Sequence, residues 1–231
     1  MEPSQSTASD QAESITTYLA EFITGAVKPS GFPPDDKPET AFAGRSNVGK
    51  SSLLNRLLNR KKLARVSRTP GRTREINFFL VDQRWSFVDL PGYGFAKIAK
   101  QKREIWDQSI GGYFSSRRNL RGVMLLLDLR RGITDLDRAM MVHLADQGLS
   151  YVPVATKIDK LRSNARRQAL VTLTKEIKTT PGFPILPVVP VSALTGDGLP
   201  QLWLRLEQLL AVTPELPTPD SEPALLEPKE S

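Results

Sequence analysis

The sequence has no cysteine and only one histidine, His143. The lack of cysteine excludes a disulfide framework and a thiolate metal site. No run of about 18 apolar residues is present, so we expect no transmembrane helix. The start of the chain has neither the apolar stretch of a signal peptide nor the arginines of a mitochondrial transit sequence. These absences favour a cytoplasmic protein that does not insert stably into a membrane.

Charge is distributed unevenly along the 231 residues, which carry a net charge of +7. The first 14 residues have three acids and no base, and residues 213–231 have five acids and one base, so residues 15–212 carry +14. A body this basic favours a polyanionic partner such as nucleic acid over an ordinary excess of solvated lysine. We expect one domain at residues 15–212. A disordered tail is expected at residues 1–14, and a disordered tail rich in proline and glutamate at residues 213–231.

Apolar segments of strand and helix type alternate along this domain. Strands are predicted at residues 40–43, 76–81, 85–88, 122–127, 151–155 and 185–191. Helices are predicted after residue 50, at residues 100–114, from an N-cap at Thr134 to Asp146, and at residues 164–177 and 199–210. Residues 15–22 fit either a short helix or a short strand. Residues 82–84 are short enough for an antiparallel hairpin, and the alternation predicts a mostly parallel six-stranded α/β sheet with helices on both faces.

A phosphate-binding pattern follows the first strand. Residues 44–51 read G-x-x-x-x-G-K-S, the P-loop, whose glycines let successive backbone N–H groups point at phosphate oxygens. Lys50 reaches the outer phosphates, and the Ser51 hydroxyl is a ligand for Mg²⁺. The helix that begins here directs the positive end of its dipole at the same anion. The predicted phosphate-binding residues are Gly44, Arg45, Ser46, Asn47, Val48, Gly49, Lys50 and Ser51.

Three later loops distinguish the possible nucleotides, and each follows a predicted strand. Asp89 can hold Mg²⁺ through water, and Gly92 can donate its N–H to a γ-phosphate whose loss releases the loop. Asp159 can accept from the ring N–H and the amine of guanine, which adenine does not present, so it selects GTP. Lys157 would lie along the base, and N–H groups near Ser192 could meet the guanine carbonyl oxygen. The nucleotide-binding residues predicted in these loops are Asp89, Leu90, Pro91, Gly92, Thr156, Lys157, Ile158, Asp159, Val191, Ser192 and Ala193.

The basic segment at residues 60–74 is expected to supply the second protein ligand of Mg²⁺. We assign Thr73, because it follows a Pro-Gly turn and directly precedes a strand, with Thr69 as the alternative. The nucleotide contacts expected here are Gly71, Arg72, Thr73, Arg74 and Glu75. The segment is either an RNA contact controlled by GTP or a solvated loop. A second candidate RNA-binding patch contains Arg117, Arg118 and Arg121.

Taken together, these motifs resemble the EngB family of bacterial TRAFAC-class GTPases. The resemblance rests on residues 44–52, 69–73, 77–79, 89–94 and 156–160, and it covers about residues 22–210. It implies a Ras-like GTPase domain that uses Mg²⁺ and GTP. A monomer is expected. The resemblance also implies that the protein acts in assembly of the large ribosomal subunit, with that subunit or its precursor as partner. A requirement for normal septation in cell division is implied as well.

Two positions depart from the commoner GTPase pattern. Position 156 is Thr where most GTPases have Asn, so guanine affinity is expected to be modest. Tyr93 stands where Ras-like enzymes have the glutamine that orients the attacking water, which predicts slow intrinsic hydrolysis. The expected catalytic residues are Lys50, which neutralises charge developing at the β–γ bridge, and Thr73. Asn47 either helps to bind K⁺, which would aid hydrolysis, or only braces the P-loop.

Two other functions fit part of the pattern. A P-loop kinase would need an acceptor site and would leave Asp159 unexplained, and a comparison of ATP with GTP binding tests it. A non-enzymatic guanine-nucleotide sensor that binds a cell-division protein would show no turnover with ribosomal subunits present.

Overall fold

A single sheet forms the centre of the computed structural model, which describes residues 18–60, 75–94, 110–180 and 187–211. Its strands are β1 (Ala20–Ala26), β2 (Glu39–Gly44), β3 (Ile76–Val81), β4 (Trp85–Asp89), β5 (Leu120–Asp128), β6 (Tyr151–Thr156) and β7 (Val189–Pro190). Their order across the sheet is β1-β3-β4-β2-β5-β6-β7. Strands β4, β2, β5, β6 and β7 run parallel, whereas β3 is antiparallel to both β1 and β4.

The predicted mostly parallel α/β sheet is therefore confirmed, but the predicted number of six strands is wrong. The seventh strand, β1, pairs with β3 at the edge of the sheet and contains a bulge between Phe22 and Thr24. Phe22 and Ile23 are both exposed, so the strand lacks the apolar alternation that identifies a half-buried strand. Only its pairing with β3, a long-range contact, makes it a strand.

Four helices have bounds within the described residues: α1 (Lys50–Leu57), α2 (Asp135–Asp146), α3 (Ser163–Thr179) and α4 (Leu199–Ala211). Residues 110–116 are also helical, and the rest of the helix predicted at 100–114 lies outside the described residues. Thr134 caps α2 as predicted, through a reciprocal capping box with Asp137. None of the helices described here is long and apolar enough to cross a membrane.

The two faces of the sheet bury separate apolar cores. Alternate residues of β2 point to opposite sides, so Phe42 joins the core under α1 and α4, and Ala41 joins the core under α2 and α3. The predicted hairpin between β3 and β4 is confirmed. Its Asp82 and Gln83 have φ of 52° and 55°, the left-handed pair that suits the twist of two antiparallel strands.

Because β2, β4, β5 and β6 are parallel, the loops that follow them meet at one edge of the sheet, which we call the carboxyl edge. The opposite edge, where these strands begin, is the amino edge. The sequence motifs predicted to bind nucleotide follow β2, β4 and β6, so the fold brings them together. The predicted tails at residues 1–14 and 213–231 lie outside the described residues.

Candidate nucleotide-binding site

The P-loop joins β2 to α1 in a conformation that depends on its glycines. Gly49 has φ of 105° immediately before Lys50 begins α1, a conformation in which L side chains are strained. A Cβ on Gly44 would lie 2.9 Å from Val48 Cγ1 and 3.0 Å from the Leu126 carbonyl oxygen. Asn47 has φ of 66°, which asparagine tolerates better than most residues. The loop therefore curls tightly at the start of a helix, as phosphate binding requires.

Lys50 and Ser51 converge on Asp89, which ends the neighbouring strand β4. Lys50 Nζ pairs with Asp89 Oδ1, and Ser51 Oγ lies 3.4 Å from Asp89 Oδ2. Asp89 is buried, and parallel pairing places it opposite Phe42 of β2. A hydroxyl beside a carboxylate is a donor set that fits Mg²⁺, which takes one or two protein oxygens and completes its shell with water and phosphate. No cluster of three acidic or histidine metal ligands occurs among the described residues, so a closed all-protein cage is not found there.

The loop after β4 lies directly against the P-loop. Ser46 N donates to the Tyr93 carbonyl oxygen at 2.9 Å, and Ser46 Oγ donates to the Gly92 carbonyl oxygen at 3.3 Å. A Cβ on Gly92 would stand 3.0 Å from Ser46 N, so the close approach requires glycine. Leu90 and Pro91 of this loop are buried. The loop thus brings Asp89 and Gly92 against the P-loop.

The side chain of Tyr93 points into the protein toward α2. Its hydroxyl donates to Asp137 Oδ1 at 2.8 Å, and both residues are buried. Burial raises the pKa of Tyr93 well above its ordinary value, and the neighbouring Asp137 carboxylate raises it further. The phenol is therefore a permanent donor in the core.

The loop after β6 is tied to the P-loop by two side chains. The Thr156 hydroxyl is buried and lies 2.9 Å from the Val48 carbonyl oxygen and 3.2 Å from that of Leu127. Lys157 has φ of 60°, and its Nζ donates to the Asn47 carbonyl oxygen at 2.5 Å. The lysine stem passes over Gly49, where a Cβ would be 3.7 Å from Lys157 Cε. The predicted guanine loop and the predicted phosphate loop thus form one unit.

Asp159 and Ser192 meet at the end of this unit. Ser192 Oγ donates to Asp159 Oδ1 at 2.8 Å, and Lys160 Nζ lies 3.4 Å from Oδ2. Burial alone would raise the pKa of Asp159, but the hydrogen bonds from Ser192 and Lys160 outweigh it and lower that pKa below its ordinary value. The backbone holds the two loops together, because Ile158 N donates to the Val191 carbonyl oxygen at 3.4 Å. Asp159 is thus held as a carboxylate that can accept from a base.

Sequence reasoning missed Asp128, which ends β5 at the same edge. Its Oδ2 accepts from Lys157 Nζ at 3.0 Å and from Arg130 Nη2 at 2.7 Å. Burial opposes ionisation, but hydrogen bonds from Arg130 and Lys157 lower the pKa of Asp128 to about 2. Its position in the sequence could have indicated it. Asp128 is a carboxylate at the end of a buried strand, and both parallel neighbours of that strand lead into predicted site loops.

Several predicted residues fall outside the site or outside the described residues. Gly71, Arg72, Thr73 and Arg74, together with the alternative Thr69, lie outside the described residues, as does the basic segment from residue 61 onward. Glu75 is exposed just before β3. The second candidate RNA-binding patch is wrong for Arg117, because its guanidinium is buried in an ion pair with Glu39 at 2.8 Å. Arg118 is exposed, whereas two guanidinium nitrogens of Arg121 are buried.

Three features define the class of this site. A P-loop follows the buried parallel strand β2, the neighbouring strand β4 ends in an aspartate suited to Mg²⁺, and the loop after β6 holds a carboxylate that can accept from a nucleotide base. Together they define a P-loop GTPase of Ras-like fold. Comparison with known proteins agrees. The model of the family described as 50S ribosome-binding GTPase matches residues 39–157. The chain belongs to the EngB family of GTP-binding proteins, which are P-loop GTPases that hydrolyse GTP.

Individual relatives match over most of their length. The chain is 42% identical over 201 residues to the probable GTP-binding protein EngB of Desulfitobacterium hafniense, covering 87% of this chain and 98% of the relative. It is 49% identical over 179 residues to that of Pelotomaculum thermopropionicum, covering 78% and 89%. The crystal structure of a probable GTP-binding protein EngB superposes with a TM-score of 0.59 at 25% identity, covering 74% and 98%.

A structure of Era in complex with MgGDPNP and a segment of 16S ribosomal RNA also shares the fold. It superposes with a TM-score of 0.59 at 23% identity, covering 80% of this chain and 60% of Era. At this identity the likeness shows a common fold alone.

Proposed function

We propose that this GTPase is a slowly hydrolysing switch that acts in assembly of the large ribosomal subunit and is required for normal septation. The observation that carries the switch is the direct contact between the P-loop and the loop after β4, through Ser46 with Gly92 and Lys50 with Asp89. Through these contacts a change at the phosphates can pass from one loop to the other. The large subunit or its precursor as partner is supported by the name of the matching family and by the +14 charge of residues 15–212. Septation rests on the family resemblance. We also propose a cytoplasmic location and a monomeric state.

Different residues of the site are proposed to bind the phosphates, Mg²⁺ and guanine. The backbone N–H groups of residues 44–51 bind the phosphates, and Lys50 neutralises charge that develops at the β–γ bridge. Ser51 would hold Mg²⁺ with Thr73 as its second protein ligand, and Asp89 would act on the ion through water. When bound, Mg²⁺ supplies positive charge between the outer phosphates. Asp159 and Lys157 recognise guanine, with Ser192 orienting the carboxylate.

Hydrolysis is slow because, within the described residues 90–94 of the loop after β4, no side chain replaces the missing glutamine. Tyr93 occupies that position, and its hydroxyl is held by Asp137 in the core. Stimulation must then come from outside, either from the ribosomal particle or from K⁺ near Asn47. The Asn47 backbone already braces the site by accepting from Lys157, and K⁺ would engage the side chain.

The test is GTP hydrolysis by the purified protein in K⁺ and in Na⁺ buffer, alone and with large or small ribosomal subunits. We expect stimulation by the large subunit, with the small subunit as the matched polyanion control. Equal stimulation by both would contradict a specific partner and leave only a general response to RNA. An Asn47→Ala variant that keeps the same response to K⁺ would remove the proposed role of that side chain.

A further inference from the structure

Tyr93 is attached to two parts of the molecule at once, the P-loop and α2. Its carbonyl oxygen accepts from Ser46 N at 2.9 Å, and its own N–H donates to the Gly44 carbonyl oxygen at 3.3 Å. Its hydroxyl donates to Asp137 Oδ1 at 2.8 Å. The backbone is therefore held by the P-loop and the side chain by α2, although Gly44 at the end of β2 lies 91 residues before Asp135 at the start of α2.

Asp137 is itself fixed from the opposite side. Its Oδ2 accepts from Thr134 N at 2.9 Å and from Thr134 Oγ1 at 2.6 Å, so the carboxylate that caps α2 also receives the phenol. Asp137 is 2% exposed and Tyr93 is 6% exposed. A hydrogen bond between groups this well shielded has no competing water, and its loss leaves a buried carboxylate oxygen without its donor.

The next residues continue the same contact. Gly94 has φ of 86°, and a Cβ there would lie 2.9 Å from Leu136 Cδ1 of α2 and 3.4 Å from Arg45 Nε of the P-loop. The segment Gly92–Gly94 is thus confined between the P-loop and the start of α2. Gly92, at the P-loop end of this segment, is the residue whose N–H is proposed to read the γ-phosphate.

We propose that Tyr93 is a positioning residue for GTP, whose hydroxyl, held by Asp137, fixes Gly92 against the P-loop so that its N–H is placed for the γ-phosphate. The inference rests on the proposed role of Gly92. GDP has no γ-phosphate, so the Tyr93 anchor acts on GTP binding and hydrolysis and leaves GDP binding unchanged. A residue that only stabilised the fold would affect both nucleotides alike.

The experiment compares the affinity of GDP with that of a non-hydrolysable GTP analogue in Tyr93→Phe, which removes the hydroxyl and keeps the ring. We expect the analogue to bind about tenfold more weakly, the size of one buried hydrogen bond to a charged group, with GDP affinity unchanged within about twofold. The rate of GTP hydrolysis at saturation falls as well, because Gly92 contacts the transferred phosphoryl group. Equal weakening of both nucleotides, or of neither, would overturn the proposal.

The chain offers a matched control in Tyr113. Its hydroxyl is also fully buried and donates to a carboxylate oxygen, Glu39 Oε1, at 2.8 Å, but at the amino edge of the sheet. Tyr113→Phe should lower the free energy of unfolding by a similar amount to Tyr93→Phe, measured in urea, and leave the ratio of the two affinities unchanged. If Tyr113→Phe also shifted that ratio, the ratio would depend on stability alone, and the positioning role proposed for Tyr93 would be wrong.

Two further variants separate this inference from the proposed role of Gly92. Gly92→Ala brings a Cβ to 3.0 Å from Ser46 N and should weaken the analogue selectively. If Gly92→Ala is selective and Tyr93→Phe is not, the anchor is wrong and the γ-phosphate contact stands; if neither is selective, both are wrong. Asp137→Ala removes the acceptor of the same bond and should be non-additive with Tyr93→Phe in analogue affinity, and full additivity would contradict the pairing.

Discussion

The two edges of the sheet each contain a buried tyrosine bonded to a carboxylate, but the surroundings of the two pairs differ. At the amino edge, Glu39 is fully buried and accepts four hydrogen bonds, from Tyr113, from two nitrogens of Arg117 and from Ser86. Arg117 also donates to the Pro33 carbonyl oxygen at 2.7 Å. At the carboxyl edge, Asp137 accepts from Tyr93 and Thr134, and Tyr93 leads directly to the P-loop.

The same buried hydrogen bond from a tyrosine to a carboxylate therefore has a different role at each edge. The amino-edge carboxylate has no acceptor position left over, and its charged partner Arg117 ties the proline-containing segment before β2 to the start of the sheet. The carboxyl-edge carboxylate joins a helix to a loop that contacts the proposed nucleotide site. We therefore expect amino-edge substitutions to change stability without changing nucleotide selectivity, and carboxyl-edge substitutions to change nucleotide binding.

The largest effect is expected for Arg117→Ala. Removal of the guanidinium leaves the Glu39 carboxylate buried without its countercharge, which should lower the free energy of unfolding by about 3–5 kcal/mol. Urea denaturation measures the loss. The neighbouring Arg118 is exposed, and Arg118→Ala should change stability by less than about 0.5 kcal/mol. Similar losses in the two variants would show that the buried ion pair is not what holds the amino edge together.

Asp159→Asn should have the next largest effect, mainly on nucleotide binding. The amide cannot accept from both guanine donors, so GTP and GDP affinity should each fall on the order of a hundredfold, with a small change in stability. Fluorescence titration with labelled guanine and adenine nucleotides measures the change. Unchanged guanine affinity would contradict the proposed recognition of the base by Asp159.

A smaller effect is expected from a pair of threonines that make the same kind of bond at different places. The buried Thr156 hydroxyl contacts the Val48 carbonyl oxygen of the P-loop at 2.9 Å, and the buried Thr40 hydroxyl donates to the Gly122 carbonyl oxygen at 3.2 Å. Each Thr→Val change should lower the free energy of unfolding by about 1 kcal/mol. Only Thr156→Val should also weaken nucleotide binding, by a few fold, in titrations of both GTP and GDP. If Thr40→Val also weakened nucleotide binding, the two edges would not differ in the way proposed.

The parts of the site that the sequence predicted are those built from consecutive residues. The P-loop, the aspartate after β4 and the loop after β6 each follow a buried strand, and parallel strands end at the same edge. The two core faces and the α2 cap were also predictable, because they depend on local periodicity and on Thr134.

The remaining features depend on partners far along the chain. The sequence makes Arg117 part of a candidate RNA-binding patch, but its partner Glu39 lies 78 residues earlier in the chain. The Tyr93 sequence position indicated a missing glutamine, but its bond to Asp137 spans 44 residues. Strand β1 has exposed apolar residues, so its pairing with β3 decides its structure where periodicity could not. Long-range pairing of polar side chains leaves no spacing pattern in a single sequence.

The smallest effect concerns the ion pair of Asp128, which is only partly shielded because Arg130 is 39% exposed. The pKa of Asp128 is about 2 in the folded protein, below its ordinary 3.8, so its ionised form stabilises the fold above about pH 4. This contribution is lost as the pH falls from about 4 toward 2. Because solvent screens the pair, Asp128→Asn should cost less than about 1 kcal/mol at pH 6. The difference from the unsubstituted protein should shrink at pH 3 in urea denaturation, and a difference that grew on acidification would contradict the ionised pair.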